Sequence, residues 1–244
     1  MSDDGGPAPT GARDRPLIAV IDYGIGNLHS AQKALARGGA DARLTADADV
    51  IAAADGVVLP GVGSFGACMG ALRERGLEGP TLDAVASGRP FLGICVGMQM
   101  LFTRSEESPD VAGLDVIGGS VTRIPAGPKI PQMQWNRLDV RLPDDPMLAS
   151  VGDGAWVYFV HSLHGVPDDP AAVAATVEYG TTLGAAFRRG NVFAVQFHPE
   201  KSSRPGLALL GNFVDVCAGV EPDGIATTTR PAVARGVAAG EAAR

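Results

Sequence analysis

The stretch Pro90-Phe91-Leu92-Gly93-Ile94-Cys95-Val96-Gly97-Met98-Gln99-Met100-Leu101 constrains this chain more than any other. A short apolar run ends in a cysteine flanked by glycines two residues on either side, and an apolar-periodic segment follows. The pattern predicts a strand, a sharp turn and a helix, with the thiol on the turn, as in a nucleophile elbow. Glycine suits positions 93 and 97 because a side chain there would collide where strand, turn and helix crowd together. Cys95 then sits at the start of a helix, where unpaired N–H groups and the positive end of the dipole favour a thiolate. Most lone cysteines are buried packing residues; the paired glycines argue against that for Cys95, whereas Cys68 and Cys217 fit it.

Around this elbow the chain alternates. Leu17–Ile21 reads as a strand, followed by a loop at Asp22-Tyr23-Gly24-Ile25-Gly26-Asn27 and a helix to about Arg37, with Asn27 as a candidate cap. Ala42–Thr45 and Gly56–Leu59 read as strands, and Val50–Ala54, Phe65–Arg75 and Thr81–Ser87 as helices. Beyond Gly113, strands are expected at Val116–Ile124, Arg137–Arg141, Ala155–Val160, Val173–Tyr179, Leu183–Arg188 and Val192–Phe197. Arg189-Gly190-Asn191 fits a hairpin turn, and Gly206–Val216 a closing helix. The expected fold is α/β: an open, mostly parallel central sheet with helices on both faces, plus extra antiparallel strands in the C-terminal half. Residues 16–218 form one domain in this reading, between a small, polar arm at 1–15 and an Ala-, Gly- and Thr-rich tail at 219–244, both expected to be disordered. In such a sheet ligands bind beyond the carboxyl ends of the strands, so the loops after Ile21, Leu59, Ile94 and Phe197 are expected to meet.

Composition narrows the function. The net charge of −7 and only three lysines, Lys33, Lys129 and Lys201, argue against nucleic acid or an anionic membrane as partner. No apolar run is long enough to span a bilayer. Three cysteines suit neither a disulfide framework nor a zinc site, and no metal is expected; no cofactor is expected either. Without a signal-peptide pattern, the expected compartment is the reducing cytoplasm. Gly24 and Gly26 superficially resemble a dinucleotide loop, but His29 stands at the third glycine position and the fingerprint fails.

A second constellation is Gln196-Phe197-His198-Pro199-Glu200-Lys201. Pro199 keeps His198 out of the helical region, and in an extended chain residues two apart project to one side. Glu200 can therefore hold and polarise the imidazole. On its own this would be a strand-end histidine beside a surface glutamate; joined to a thiol at an elbow, it is a nucleophile, a base and an orienting carboxylate. His29, His161 and His164 have no carboxylate so placed.

Gly93-Ile94-Cys95-Val96-Gly97-Met98-Gln99 together with His198-Pro199-Glu200 resembles the class I (triad) glutamine amidotransferases. More narrowly, the chain is similar to the glutaminase subunits of imidazole glycerol phosphate synthase, through Asp22–Leu28, Leu59-Pro60-Gly61-Val62-Gly63, Trp135-Asn136, Tyr158–Ser162 and His198–Ser202. The likeness runs from about Leu17 to Val216. It implies that Cys95, His198 and Glu200 are the catalytic triad. It further implies that Val96 and the Gly61-Val62 peptide supply the oxyanion donors, and that Gln99, Glu107, His161 and Ser162 line the glutamine pocket; Glu106, next to Glu107, is an alternative. The implied partner is a (β/α)8 cyclase subunit that receives the ammonia in histidine biosynthesis, with Asn27, Trp135, Asn136, Tyr158 and Lys201 at the interface. Trp135 is expected in a Pro-interrupted loop, Lys129–Asn136, and Trp156 in the core. The family usually carries His and Gly where this chain has Gln132 and Gln134. Alternatives are a glutaminase feeding another synthase, such as that of vitamin B6, a cysteine peptidase or deglycase of related fold, and a catalytically silent regulatory subunit.

Overall fold

The computed structural model describes residues 15–26, 28–126 and 129–220. The expected arms therefore lie almost wholly outside the described residues, as does the cap and interface candidate Asn27. The first half alternates as its sequence predicts: β1 (Leu17–Ile21), α1 (Leu28–Arg37), β2 (Asp41–Thr45), α2 (Ala48–Ala53), β3 (Gly56–Gly61), α3 (Phe65–Glu74), α4 (Glu78–Ala86) and β4 (Phe91–Cys95). Ser64 caps α3 and Asp47 caps α2 through their side-chain oxygens, satisfying N–H groups that a helix start leaves unpaired. After the elbow come α5 (Val96–Met100), β5 (Phe102–Ser105), β6 (Ile117–Arg123), β7 (Gln132–Val140), β8 (Trp156–His161) and β9 (Leu163–Pro167). The chain closes with β10 (Val173–Glu178), β11 (Thr182–Arg189), β12 (Val192–Val195) and α6 (Ser203–Cys217).

Among the described residues the main sheet has nine strands in the order β2-β1-β3-β4-β12-β11-β10-β7-β8. From β2 to β12 neighbours run parallel, and from β12 to β8 they run antiparallel. The expected parallel sheet, extended by antiparallel strands of the C-terminal half, is what forms. A second sheet, β5-β6-β9, has three strands. The central parallel strands are buried on both sides, with every residue of β3, β4 and β12 buried, which is why they read as continuous apolar runs. Around them α1 packs on α6, α2 on α4 and α3 on α5. Because β1, β3, β4 and β12 are parallel neighbours, their carboxyl ends share one edge of the sheet.

Register then decides what meets there. Gly61 pairs with Cys95, and Val195 pairs with Ile94. The residue after β12, Gln196, is thus carried level with Cys95, and His198 follows two residues on.

Two local expectations are corrected. Lys129–Asn136 is not a loop throughout: β7 begins at Gln132, directly after Pro131, and pairs Trp135 with Tyr158 on β8. Proline marks the start of that strand rather than interrupting it. Trp156 is not in the core but 54% exposed. Since β8 is the edge strand, its alternation turns Val157, Phe159 and His161 inward and leaves Trp156 outward. The expected helix after Cys95 forms and lasts five residues, after which β5 takes Phe102 into the second sheet. Cys68 and Cys217 are buried in the core, as expected of packing cysteines.

Candidate active site

Cys95 ends β4 with φ 54° and ψ −113°. A non-glycine residue held there costs on the order of 1–3 kcal/mol, tolerated only where the surroundings impose it. Both flanking glycines explain the imposition. A Cβ on Gly97 would lie 1.9 Å from the Leu59 carbonyl oxygen, and one on Gly93 would lie 2.8 Å from Leu101 Cδ1 and 3.0 Å from Met98 Cα. The elbow exists because β3, β4 and α5 close to backbone contact.

His198 is 3% exposed, and its Nδ1 lies 2.8 Å from Glu200 Oε1. His198 itself is extended (φ −97°, ψ 97°), as the following proline requires. The expected extended continuation to Glu200 does not occur: Pro199–Lys201 forms a 3-10 turn, and the turn brings the carboxylate back to the ring. Burial opposes a charge on the imidazole, but hydrogen bonds to Cys95 and Glu200 and their negative charges outweigh it and raise its pKa to about 9. With Nδ1 committed to Glu200, Nε2 is the nitrogen left for the Cys95 sulfur. Around this turn the Tyr158 carbonyl accepts from the His198 N–H at 3.1 Å, while Ser202 Oγ accepts from the Tyr158 N–H at 2.9 Å and donates to the His198 carbonyl at 2.6 Å.

A pocket lined by Pro60, Gly61, Val62, Ile94, His198 and Glu200 opens at this point. Gly61 must be glycine, since a Cβ would sit 2.6 Å from the Gly97 nitrogen and 2.9 Å from the Tyr23 hydroxyl. Tyr23 donates to the Pro60 carbonyl at 2.6 Å, and the Cys68 thiol donates to the Val62 carbonyl at 3.2 Å. Val96, the other expected oxyanion donor, is the first residue of α5.

The four residues expected around glutamine are all tied down. Gln99 is buried, and its Nε2 donates to Gln196 Oε1 at 3.1 Å and to the Leu163 carbonyl at 3.5 Å. Glu107 Oε2 accepts from the Phe65 N–H at 2.6 Å, capping α3 just after the Gly61-Val62 loop. Its neighbour Glu106 turns away to accept from the Arg123 N–H at 2.8 Å. His161 Nδ1–H donates to the Leu163 carbonyl at 2.7 Å, and burial drives the ring's pKa down to about 4, so its Nε2 is an acceptor and the Gln132 amide 2.7 Å away serves it with its otherwise unpaired NH2. Ser162 is half-buried, its carbonyl accepting from the Ile124 N–H at 3.0 Å.

Of the interface candidates, Trp135 is 43% exposed and its ring lies 6.0 Å from, and tilted 60° to, that of the half-buried Tyr158, whose backbone holds the His198 turn. Lys201 is exposed in that turn, and Asn136 donates to the Glu178 carbonyl at 2.9 Å. Sequence reasoning missed Gln196 and Ser202. The available signal for Gln196 was a glutamine closing an otherwise apolar strand, Val192–Phe197. Among the described residues no group of three His, Cys, Asp or Glu side chains could hold a metal, and no helix is long and apolar enough to cross a membrane.

The family description "Glutamine amidotransferase class-I" matches residues 19–217. The chain is 49% identical over 209 residues to the imidazole glycerol phosphate synthase subunit HisH of Synechococcus elongatus, covering 84% of this chain and 96% of that protein. It is 51% identical over 207 residues to the HisH subunit of Methylococcus capsulatus, covering 81% of this chain and 95% of that one. Among solved structures, the crystal structure of a glutamine amidotransferase superposes with a TM-score of 0.66 at 23% identity, over 83% of this chain and 99% of that chain. PurLQS from Thermotoga maritima does so with a TM-score of 0.65 at 21% identity, over 82% and 98%.

Proposed function

The chain belongs to the class-I glutamine amidotransferases, in the family of the HisH subunit of imidazole glycerol phosphate synthase, and from that membership we propose that it hydrolyses glutamine at Cys95 and passes the ammonia to a cyclase subunit. The supporting observation is one arrangement. A cysteine held at positive φ between two glycines lies close enough to the His198 imidazole to help raise its pKa, and that ring's Nδ1 rests on a buried carboxylate.

Each residue then has a step. The Cys95 sulfur attacks the side-chain amide carbon of glutamine, and the C–S bond forms while the carbonyl oxygen becomes an oxyanion. The backbone N–H groups of Val96 and Val62 stabilise that charge, Val62 through the Gly61-Val62 peptide. His198 carries the proton the departing nitrogen needs, and transfers it as the C–N bond breaks and ammonia leaves. Water then attacks the thioester, His198 takes its proton, the C–S bond breaks, and glutamate departs. Glu200 keeps Nδ1 occupied throughout, so that Nε2 handles every proton. Gln99, Glu107, His161 and Ser162 hold the substrate.

The partner in this reading is a (β/α)8 cyclase subunit that adds the ammonia to a phosphoribulosyl-formimino ribotide. Trp135, Tyr158 and Lys201, on the exposed side of the His198 turn, fit the docking face, together with Asn136. Asn27, the fifth member, lies outside the described residues. A cytoplasmic setting accords with such a biosynthetic role. The test is a coupled assay with the purified cyclase subunit, fed either glutamine or ammonium. Synthesis from both by the complex, and from ammonium alone when Cys95→Ala is used, upholds the reading. Product only with a different synthase subunit, or loss of both activities in Cys95→Ala, overturns it.

A further inference from the structure

Gln196 is fully buried, and its Nε2 donates to the Cys95 sulfur at 3.8 Å. It reaches that position through register: Val195 pairs with Ile94, so the next residue stands beside the nucleophile. Its carbonyl oxygen accepts from Gln99 Nε2 at 3.1 Å, and Gln99 Nε2 also faces the Leu163 carbonyl at 3.5 Å.

The direction of this chain follows from its far end. A backbone carbonyl only accepts, so the Gln99 atom facing Leu163 is the amide nitrogen. The same nitrogen faces Gln196, so Gln196 turns its oxygen toward Gln99 and its NH2 toward the sulfur. The Leu163 carbonyl also receives His161 Nδ1, at 2.7 Å. It therefore orients two side chains at once, and the Gln196 amide is not free to present its oxygen to Cys95.

We propose that Gln196 is a positioning residue for the nucleophile: the relay Leu163–Gln99–Gln196 holds an N–H donor on the Cys95 sulfur, in addition to whatever the His198 imidazole supplies there. This rests on the reading of Cys95 as the nucleophile. A donor of this kind favours the charged sulfide over the neutral thioester, in which sulfur accepts poorly. It thus helps the thiolate form before attack and receives it again as the leaving group when water breaks the C–S bond.

The test reads the sulfur directly. In the full-length chain, iodoacetamide alkylation of the Cys95 peptide is followed against pH by mass spectrometry for the wild type, Gln196→Met and Gln99→Met. Loss of a hydrogen bond to a charged acceptor, weak at this length, is expected to displace the Gln196→Met profile upward by about one pH unit. In the complex, kcat for glutamine is expected to fall about tenfold with KM little changed. Gln99→Met, which leaves the Gln196 amide free to rotate, is expected to shift the profile in the same direction by less. A Gln196→Met profile superimposable on the wild type overturns the proposal. If that variant does not fold, the Gln99→Met profile decides: displaced upholds it, unmoved overturns it. Because alkylation needs no glutamine, failure of the amidotransferase reading would show separately, as a wild-type complex inert to glutamine.

Discussion

His198 Nδ1 and Glu200 Oε1 lie 2.8 Å apart across a single proline, with both side chains almost fully withdrawn from solvent. The 3-10 turn at Pro199–Lys201 makes this contact, and the contact sets the ring's orientation and charge. Replacing Glu200 with Gln keeps the shape and removes the charge. Glutamine turnover is expected to fall between roughly tenfold and a hundredfold, about 1.4–2.8 kcal/mol of barrier. Ammonia-driven synthesis by the complex should stay near the wild-type rate, and steady-state kinetics with both nitrogen sources check the two together.

Two histidines should give opposite pH signatures. His198 has its folded pKa raised to about 9 from 6.5, so its stabilising contribution is fully present below pH 6.5 and is lost as pH rises through about 9. His161 has its folded pKa lowered to about 4 from 6.5. Its buried neutral ring stabilises the fold above pH 6.5, and roughly 3 kcal/mol is lost as pH falls from there to about 4, where the unfolded chain binds a proton the folded one does not. Urea denaturation across pH 4–10 measures both, and His161→Asn should flatten the acid limb alone.

Ser202 is buried and joins the Tyr158 N–H to the His198 carbonyl. Ser202→Ala leaves that N–H without a partner, and a loss of about 1–3 kcal/mol is expected. Because the same bonds hold the His198 turn, kcat should fall as well. Denaturation curves and glutamine kinetics on one preparation separate the two effects.

Gly97→Ala forces a methyl to within 1.9 Å of the Leu59 carbonyl oxygen. Backbone cannot move aside as a flexible side chain would, so a loss of about 3 kcal/mol or more and an inactive elbow are expected. Circular dichroism melting is the check.

Trp135 is exposed on β7, so Trp135→Ala should leave stability within about 0.5 kcal/mol of the wild type. Affinity for the cyclase subunit should drop by about 2 kcal/mol, close to thirtyfold, as expected for an aromatic anchor. Calorimetric titration measures it; unchanged affinity removes Trp135 from the interface.

Local chemistry made much of this protein legible in one dimension. Gly93 and Gly97 around Cys95 announce an elbow, and Pro199 an extended His198, because the steric demands of a few consecutive residues fix them; the 3-10 turn that brings Glu200 back to the ring was not readable in the same way. The parallel strands were readable for a similar reason: burial on both faces leaves no alternation to confuse. Trp156 and the β7 segment were not readable, since an edge strand and a central strand can carry the same residues, and only pairing decides which face meets water. Gln196, marked in sequence only as a polar residue in an apolar run, could not be given a role for a stronger reason. Its meaning depends on Val195 lying opposite Ile94 and on a carbonyl at Leu163, which arrives from a different sheet. Sequence by itself determined which atoms could react; tertiary structure decided which atoms hold them, because hydrogen bonds between strands about a hundred residues apart exist only once the sheet's register is set.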